Sequence, residues 1–138
     1  MKRILAFTLT LLLIASLASC ALLQKDKDVW KDAVYTEDTT LGEGSKTVTV
    51  ELEVEEHLIT FTVKTDREIL GDALLDVALI SGEEGPYGLY VKAVNGMTAD
   101  FDKDGRYWSL EIDGEYAMTG VDTTEITEGT VYRLVYAK

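Results

Sequence analysis

Residues 46–65 read KTVTVELEVEEHLITFTVKT, and this stretch decides the fold. Val48, Val50, Leu52 and Val54 alternate with Thr47, Thr49, Glu51 and Glu53, the two-residue period of a strand with one apolar and one polar face. After a short connection from Glu55 to His57 the period resumes, with Ile59, Phe61 and Val63 on one side and Leu58, Thr60, Thr62 and Lys64 on the other. Two strands joined this closely form an antiparallel hairpin, and its apolar face has to be covered.

The cover is expected directly downstream. Thr65 and Glu68 have capping-box spacing, and Leu70, Ala73, Leu74, Val77 and Ala78 recur at helical intervals, predicting one amphipathic helix that ends near Ile80 with Gly82 as a stop. A loop from Gly82 to Gly88 holds the sole proline. Leu89, Val91 and Ala93 then alternate with Tyr90, Lys92 and Val94 as a third strand. Asn95-Gly96 signals a type I′ turn with a short return through Met97 to Phe101. Tyr107 to Ile112 reads as the next strand, Asp113-Gly114 turns it back toward Glu115 to Met118, and Val131 to Tyr136 closes the sheet. Hairpin, helix, then strands describe an α+β domain over residues 46–138: a β-grasp-like mixed sheet crossed by one helix.

Upstream lies an address. Lys2 and Arg3 precede an uncharged apolar run from Ile4 to Ala18, the n-region and h-region of a secretory signal peptide and too short for a comfortable membrane span. Leu17-Ala18-Ser19-Cys20 resembles the lipobox of bacterial lipoproteins, which implies cleavage of residues 1–19 and attachment of diacylglycerol to Cys20. Two acyl chains suffice for stable anchoring. The expected location is the extracytoplasmic face of a bacterial cell membrane. Residues 20–45, with mixed charges, Thr, Gly and Ser and no sustained period, read as a flexible tether on which Trp30 and Tyr35 rest against the domain or the bilayer.

Composition narrows the chemistry. The chain has 138 residues and carries 13 Lys and Arg against 25 Asp and Glu, a formal charge of −12, which repels the phosphates of nucleic acid. One Cys and one His leave no disulfide framework, no thiolate-based zinc site and no paired-histidine metal site. No Gly-x-Ser-x-Gly elbow, phosphate-cradling glycine loop or His-Glu-x-x-His motif occurs, so no enzyme activity is expected.

Two sets of residues remain as site candidates. Tyr87, Tyr90, Tyr107, Trp108 and Tyr116 cluster in the second half; flat rings on a sheet or its loops accept an apolar macrocycle or a partner protein, the alternative being ordinary packing, with Trp108 in phase with Leu110 and Ile112 and so turned inward. Asp100, Asp102, Asp104, Gly105 and Glu111 satisfy the calcium-loop pattern D-x-D-x-D-G followed by five residues and Glu. A strand, not a helix, is expected to carry Glu111, so weak calcium binding or a solvated acidic turn is the expectation. His57, a possible lone ligand, reads as a solvated turn histidine.

Leu70-Gly71-Asp72-Ala73-Leu74, Gly88-Leu89-Tyr90 through Asn95-Gly96, Tyr107-Trp108-Ser109-Leu110, Asp113-Gly114, Gly120-Val121 and Glu128-Gly129 together resemble the transcobalamin-like C-terminal domain, a β-grasp module also found as a domain of unknown function in bacterial surface lipoproteins. The resemblance covers residues 46–138. It implies a non-catalytic domain that binds a small ligand, with a corrinoid (cobalamin-like) candidate, although the larger helical domain that completes the transcobalamin site has no counterpart here. The rival expectation is a structural or adhesion module that recognises protein or glycan partners.

Overall fold

The computed structural model describes residues 28–138; the expected signal peptide and the expected lipid-attachment residue Cys20 lie outside them. Two strands pair as expected, β2 (Lys46–Val54) with β3 (His57–Thr65), antiparallel with Val50 opposite Phe61 and Leu52 opposite Ile59. Their alternate apolar residues are buried. The turn between them is tighter than expected, Glu55-Glu56 alone, with Glu55 at φ +55°.

The expectation of a tether over 20–45 is corrected for residues 28–45. A 3-10 turn at Val29–Asp32 buries Val29 in the core, and strand β1 (Thr39–Gly42) runs parallel to β3 with Thr40 opposite Thr62. Trp30 stacks flat on His57 at 4.2 Å and Tyr35 meets Phe61 edge-on at 5.8 Å. Buried Asn95 fastens this segment: its side chain accepts the Tyr35 N–H at 2.9 Å and donates to the Tyr35 carbonyl at 2.8 Å, while its own carbonyl accepts the Val34 N–H. A mixed-composition stretch thus docks because its few apolar residues find partners distant in sequence.

Helix α1 (Leu70–Asp76) buries Leu70, Ala73 and Leu74. It has no side-chain cap, so the expected Thr65–Glu68 capping box is corrected: Thr65 ends β3 and its hydroxyl accepts the Arg67 N–H. The first turn is instead held by the Leu70 N–H donating to the Thr124 carbonyl at 2.9 Å. The helix stops well before Ile80. Ala78 adopts φ +56°, the Leu79 N–H reaches the Leu74 carbonyl and the Ala78 N–H the Leu75 carbonyl, which is a Schellman ending with alanine where glycine is usual. Buried Leu79 lies against the core with Leu74.

The chain then makes a hairpin where a loop was expected. Strand β4 (Ile80–Gly85) pairs with β5 (Gly88–Val94), with a bulge between Ser81 and Gly82. β6 (Met97–Thr98) adds to β5 across Asn95-Gly96, both at positive φ as a type I′ turn requires. A short helix α2 (Phe101–Asp104) leads to β7 (Tyr107–Ile112), β8 (Glu115–Tyr116), a 3-10 turn at Val121–Thr123 and β9 (Val131–Ala137).

The large sheet has the order β1-β3-β2-β9-β7-β8, and the small one β4-β5-β6. Its last strand, β9, lies at the centre, parallel to β2 and antiparallel to β7. A hairpin, a crossing helix and a central parallel final strand make this a β-grasp-like α+β domain.

Candidate functional site

The pairing of β7 creates the site. β9 covers its whole length, but β8 covers only Glu111 and Ile112, extended by the Ala117 N–H donating to the Leu110 carbonyl at 2.9 Å. Main-chain groups of alternate residues point to the same edge, so Trp108 shares the direction of Leu110 and turns its N–H and C=O toward an edge where no described strand pairs. β5 passes beside that edge, leaving a cleft of about 130 Å³ bounded by Tyr90 and Val91 on one side, Tyr107 to Leu110 on the other, and Tyr116 and Thr119 to Val121 at its ends, with Leu134 beneath.

The structure brings together four of the five expected aromatics. Tyr90 and Tyr116 are 45% and 64% exposed, and Tyr107 meets exposed Phe101 edge-on at 6.4 Å. Trp108 is half-buried against Tyr136, ring centroids 5.3 Å apart. Its Nε1 is buried and has no hydrogen-bond partner among the described residues, an uncommon condition for a buried donor. Tyr87 is elsewhere: it stands at the tip of the β4–β5 hairpin, 99% exposed, and does not line the cleft. Tyr90 also borders a neighbouring recess of about 310 Å³ with Lys92, Asp100, Phe101 and Asp102, so it forms the ridge between the two. Lys92 is drawn to Glu83 at 3.2 Å.

The calcium-loop residues do not assemble. Asp100 caps α2, its Oδ1 accepting the Asp102 and Lys103 N–H groups at 3.1 and 3.2 Å, and Gly105 ends the helix at φ +66°. Asp100 and Asp102 border one recess and Asp104 another, while Glu111 sits on β7 opposite Arg133. Among the described residues no group of three or more His, Cys, Asp or Glu side chains is placed to hold a metal ion. The stretch from Asp100 to Gly105, expected either as a weak calcium loop or as a solvated acidic turn, is a capped helical turn whose carboxylates do not converge. His57 lies against Trp30, with Glu56 at 3.8 Å.

Other recesses are polar. One of about 370 Å³ includes Arg106, Lys138 and Tyr136, with the Arg106 guanidinium 4.9 Å above the Tyr136 ring; burial pushes the Tyr136 phenol up from its ordinary value, with Arg106 opposing. Another, about 440 Å³, holds the Arg67–Asp76 pair at 2.8 Å. Neither has the aromatic lining of the cleft. On the solvent face, the Arg133 guanidinium donates to Glu51 Oε2 at 2.8 Å, and this bond holds the guanidinium above its ordinary value. Sequence reading missed Phe101, Val91, the Thr119 to Val121 wall and Asp122, whose Oδ2 accepts the Leu89 N–H; Gly120-Val121 was visible only as a block of the family resemblance.

Helix, mixed sheet and edge cleft define a small α+β domain of β-grasp type. Within it, residues 68–136 match the family described as Domain of unknown function (DUF4430), and the chain belongs to that family. A protein from Ruminococcus gnavus ATCC 29149, described as a "putative metal binding protein", is similar at 30% identity with a TM-score of 0.64, the match covering 68% of this chain and 98% of that one. Haptocorrin, solved in complex with Cbi, is similar at 20% identity and a TM-score of 0.47, over 67% of this chain and 25% of haptocorrin. No curated protein matches the chain. Among the described residues no helix is long and apolar enough to cross a membrane.

Proposed function

We propose that this protein is a non-catalytic binding module, held by lipid on Cys20 at the extracytoplasmic face of a bacterial membrane, whose cleft between β5 and β7 takes a small ligand. The observation that carries the reading is the meeting of Tyr90, Tyr107, Trp108 and Tyr116 around one opening, beside a strand edge with which no described strand pairs. Such a site offers flat apolar surface with a few fixed polar groups, the usual composition of a ligand pocket.

A corrinoid is the candidate implied by the sequence resemblance. A metal carried inside a macrocycle would reconcile the metal binding ascribed to the Ruminococcus gnavus relative with a cleft that has aromatic rings and no cluster of metal-binding carboxylates. About 130 Å³ admits a side group or ring edge, leaving the rest of a macrocycle over the exposed Tyr90 and Tyr107 faces. Affinity is accordingly weak, because little surface is removed from water to offset the lost translational freedom.

Titration of cyanocobinamide into the protein lacking residues 1–20, followed by heat and tryptophan fluorescence, tests the ligand. Saturable binding that Tyr90→Ala or Tyr107→Ala weakens by roughly 2–10-fold supports it. No signal at high micromolar ligand moves the reading to a surface protein or glycan partner, which the full exposure of Tyr87 and of Met118 favours. Fatty-acid labelling that persists in Cys20→Ser would refute the anchor.

A further inference from the structure

Asp122 stands in the 3-10 turn Val121–Thr123, directly after two residues of the cleft wall, Gly120 and Val121. Its Oδ2 accepts the main-chain N–H of Leu89 at 3.0 Å. Leu89 immediately precedes Tyr90 and lies close to the tip of the β4–β5 hairpin. Gly88 adopts φ +102°, and a Cβ there would collide with Asp122 Oδ2, so both the backbone and the space at this position are fitted to the carboxylate.

The two ends of this contact are held very differently. The turn is fixed to the body of the domain: the Thr124 hydroxyl donates to the Gly120 carbonyl at 2.7 Å, the Thr124 carbonyl accepts the Leu70 N–H at 2.9 Å, and the backbone of Gly71 lies so near the turn that an added Cβ would come within 3.1 Å of the Val121 carbonyl. The hairpin is fully buried only at its root. Ile80 and Val94 are buried, but β4 is exposed from Ser81 to Gly85, and the bulge between Ser81 and Gly82 interrupts its pairing where a bend is easiest. Leu89 and Val91 contribute half-buried packing, which is non-directional; the carboxylate contact has a set length and angle.

We infer that Asp122 is the positioning residue of the cleft, holding the β4–β5 hairpin so that Tyr90 forms the wall opposite β7. Without it the hairpin pivots at the bulge, Tyr90 leaves its place and the cleft widens. The inference deepens the ligand-binding proposal and rests on it for its functional meaning, because a wall already in place spares the ligand the cost of ordering it.

Hydrogen exchange in the protein lacking residues 1–20 decides the matter without any ligand. Asp122→Ala accelerates exchange of the amides of residues 88–91 at least about tenfold, as expected for loss of a hydrogen bond to a charged group, while the amides of β2 and β3 exchange as before. Asp122→Asn, whose amide oxygen still accepts, restores protection. Gly88→Ala, acting from the other side of the contact, reproduces the Asp122→Ala pattern; if it fails to fold, the Asp122 pair decides alone. Unchanged exchange in Asp122→Ala, or acceleration shared equally by β2 and β3, overturns the inference. Cyanocobinamide affinity should fall several-fold in Asp122→Ala. Absence of binding to the unsubstituted protein sinks the ligand proposal, while the exchange pattern still decides the role of Asp122.

Discussion

In the β2–β3 hairpin, every second residue from Val48 to Val54 and from Ile59 to Val63 is buried, whereas β4 of the β4–β5 hairpin buries Ile80 and exposes the five residues after it. The first hairpin has strands on both sides, β1 and β9, and a polar face on which Glu51 pairs with Arg133 of β9. The second ends in a free edge, contains a bulge, and is tied to the rest by a few polar contacts at Asn95 and Asp122. Apolar burial supports the one along its whole length, whereas the other is buried at its root, half-buried at Leu89 and Val91, and otherwise held by polar attachment. Burial is non-directional and tolerates neighbours of many shapes; hydrogen bonds fix direction and are lost singly, so the second hairpin is where position can be adjusted at small cost to the whole fold.

The sharpest way to break this contrast is to empty one side. Phe61→Ala should lower unfolding free energy by about 3–5 kcal/mol, read as a shifted urea midpoint, while Glu84→Ala on exposed β4 stays within about 0.5 kcal/mol. Equal losses would erase the distinction. Next in size is Asn95→Ala, which leaves the Tyr35 main chain without its two partners; about 2–3 kcal/mol is expected, with proteolysis between Val34 and Asp38 becoming easier. A loss confined to stability, with that segment still protected, would show that Val29 and Trp30 hold it unaided.

Smaller still is Trp108→Phe. It removes the unpartnered N–H along with part of the ring, and these oppose each other, so the expected cost is under about 1 kcal/mol. A loss of 3 kcal/mol would mean that Nε1 has a partner in solution. The smallest effect lies at Asp66, where the Ser45 main-chain N–H and hydroxyl, at 2.8 and 2.9 Å, hold the carboxyl below its ordinary value. A depressed carboxyl stabilises the fold above its unfolded pKa, about 3.9, and that contribution is lost as pH falls through the lowered value. Urea unfolding at a series of pH values should therefore show the difference between Asp66→Ala and the parent protein shrinking as pH falls through the lowered value.

The same contrast explains what could be read in advance. The central hairpin is legible because Val48 to Val54 and Ile59 to Val63 encode their own burial, and Asn95-Gly96 and Asp113-Gly114 encode positive φ. β4 is illegible because Ser81-Gly-Glu-Glu-Gly85 contains no strand former; its conformation comes from β5. Leu79 and Ile80 continue the apolar run after the helix, yet Ala78 turns the chain and delivers them to another element. β1 lacks alternation and depends on β3, a partner about twenty residues away. For the site, aromatic clustering located Tyr90, Tyr107, Trp108 and Tyr116, but a composition pattern carries no information about hairpin tips, so it placed Tyr87 among them. The Asp100 to Gly105 pattern has two physical solutions, a cation loop and a helix with an Asp cap and a left-handed Gly end. The letters do not distinguish them; the backbone does.

The docking of residues 28–45 sets a short leash. With lipid on Cys20, as proposed, seven residues separate the anchor from Asp28, and at no more than about 3.6 Å per residue they reach under about 30 Å. Val29 and Trp30, stacked on His57 beside the Glu55-Glu56 turn, mark the end of the domain where the leash begins. The module would ride close to the lipid surface, sampling the thin layer of solvent above it, and a large partner could reach the cleft only from the outward side.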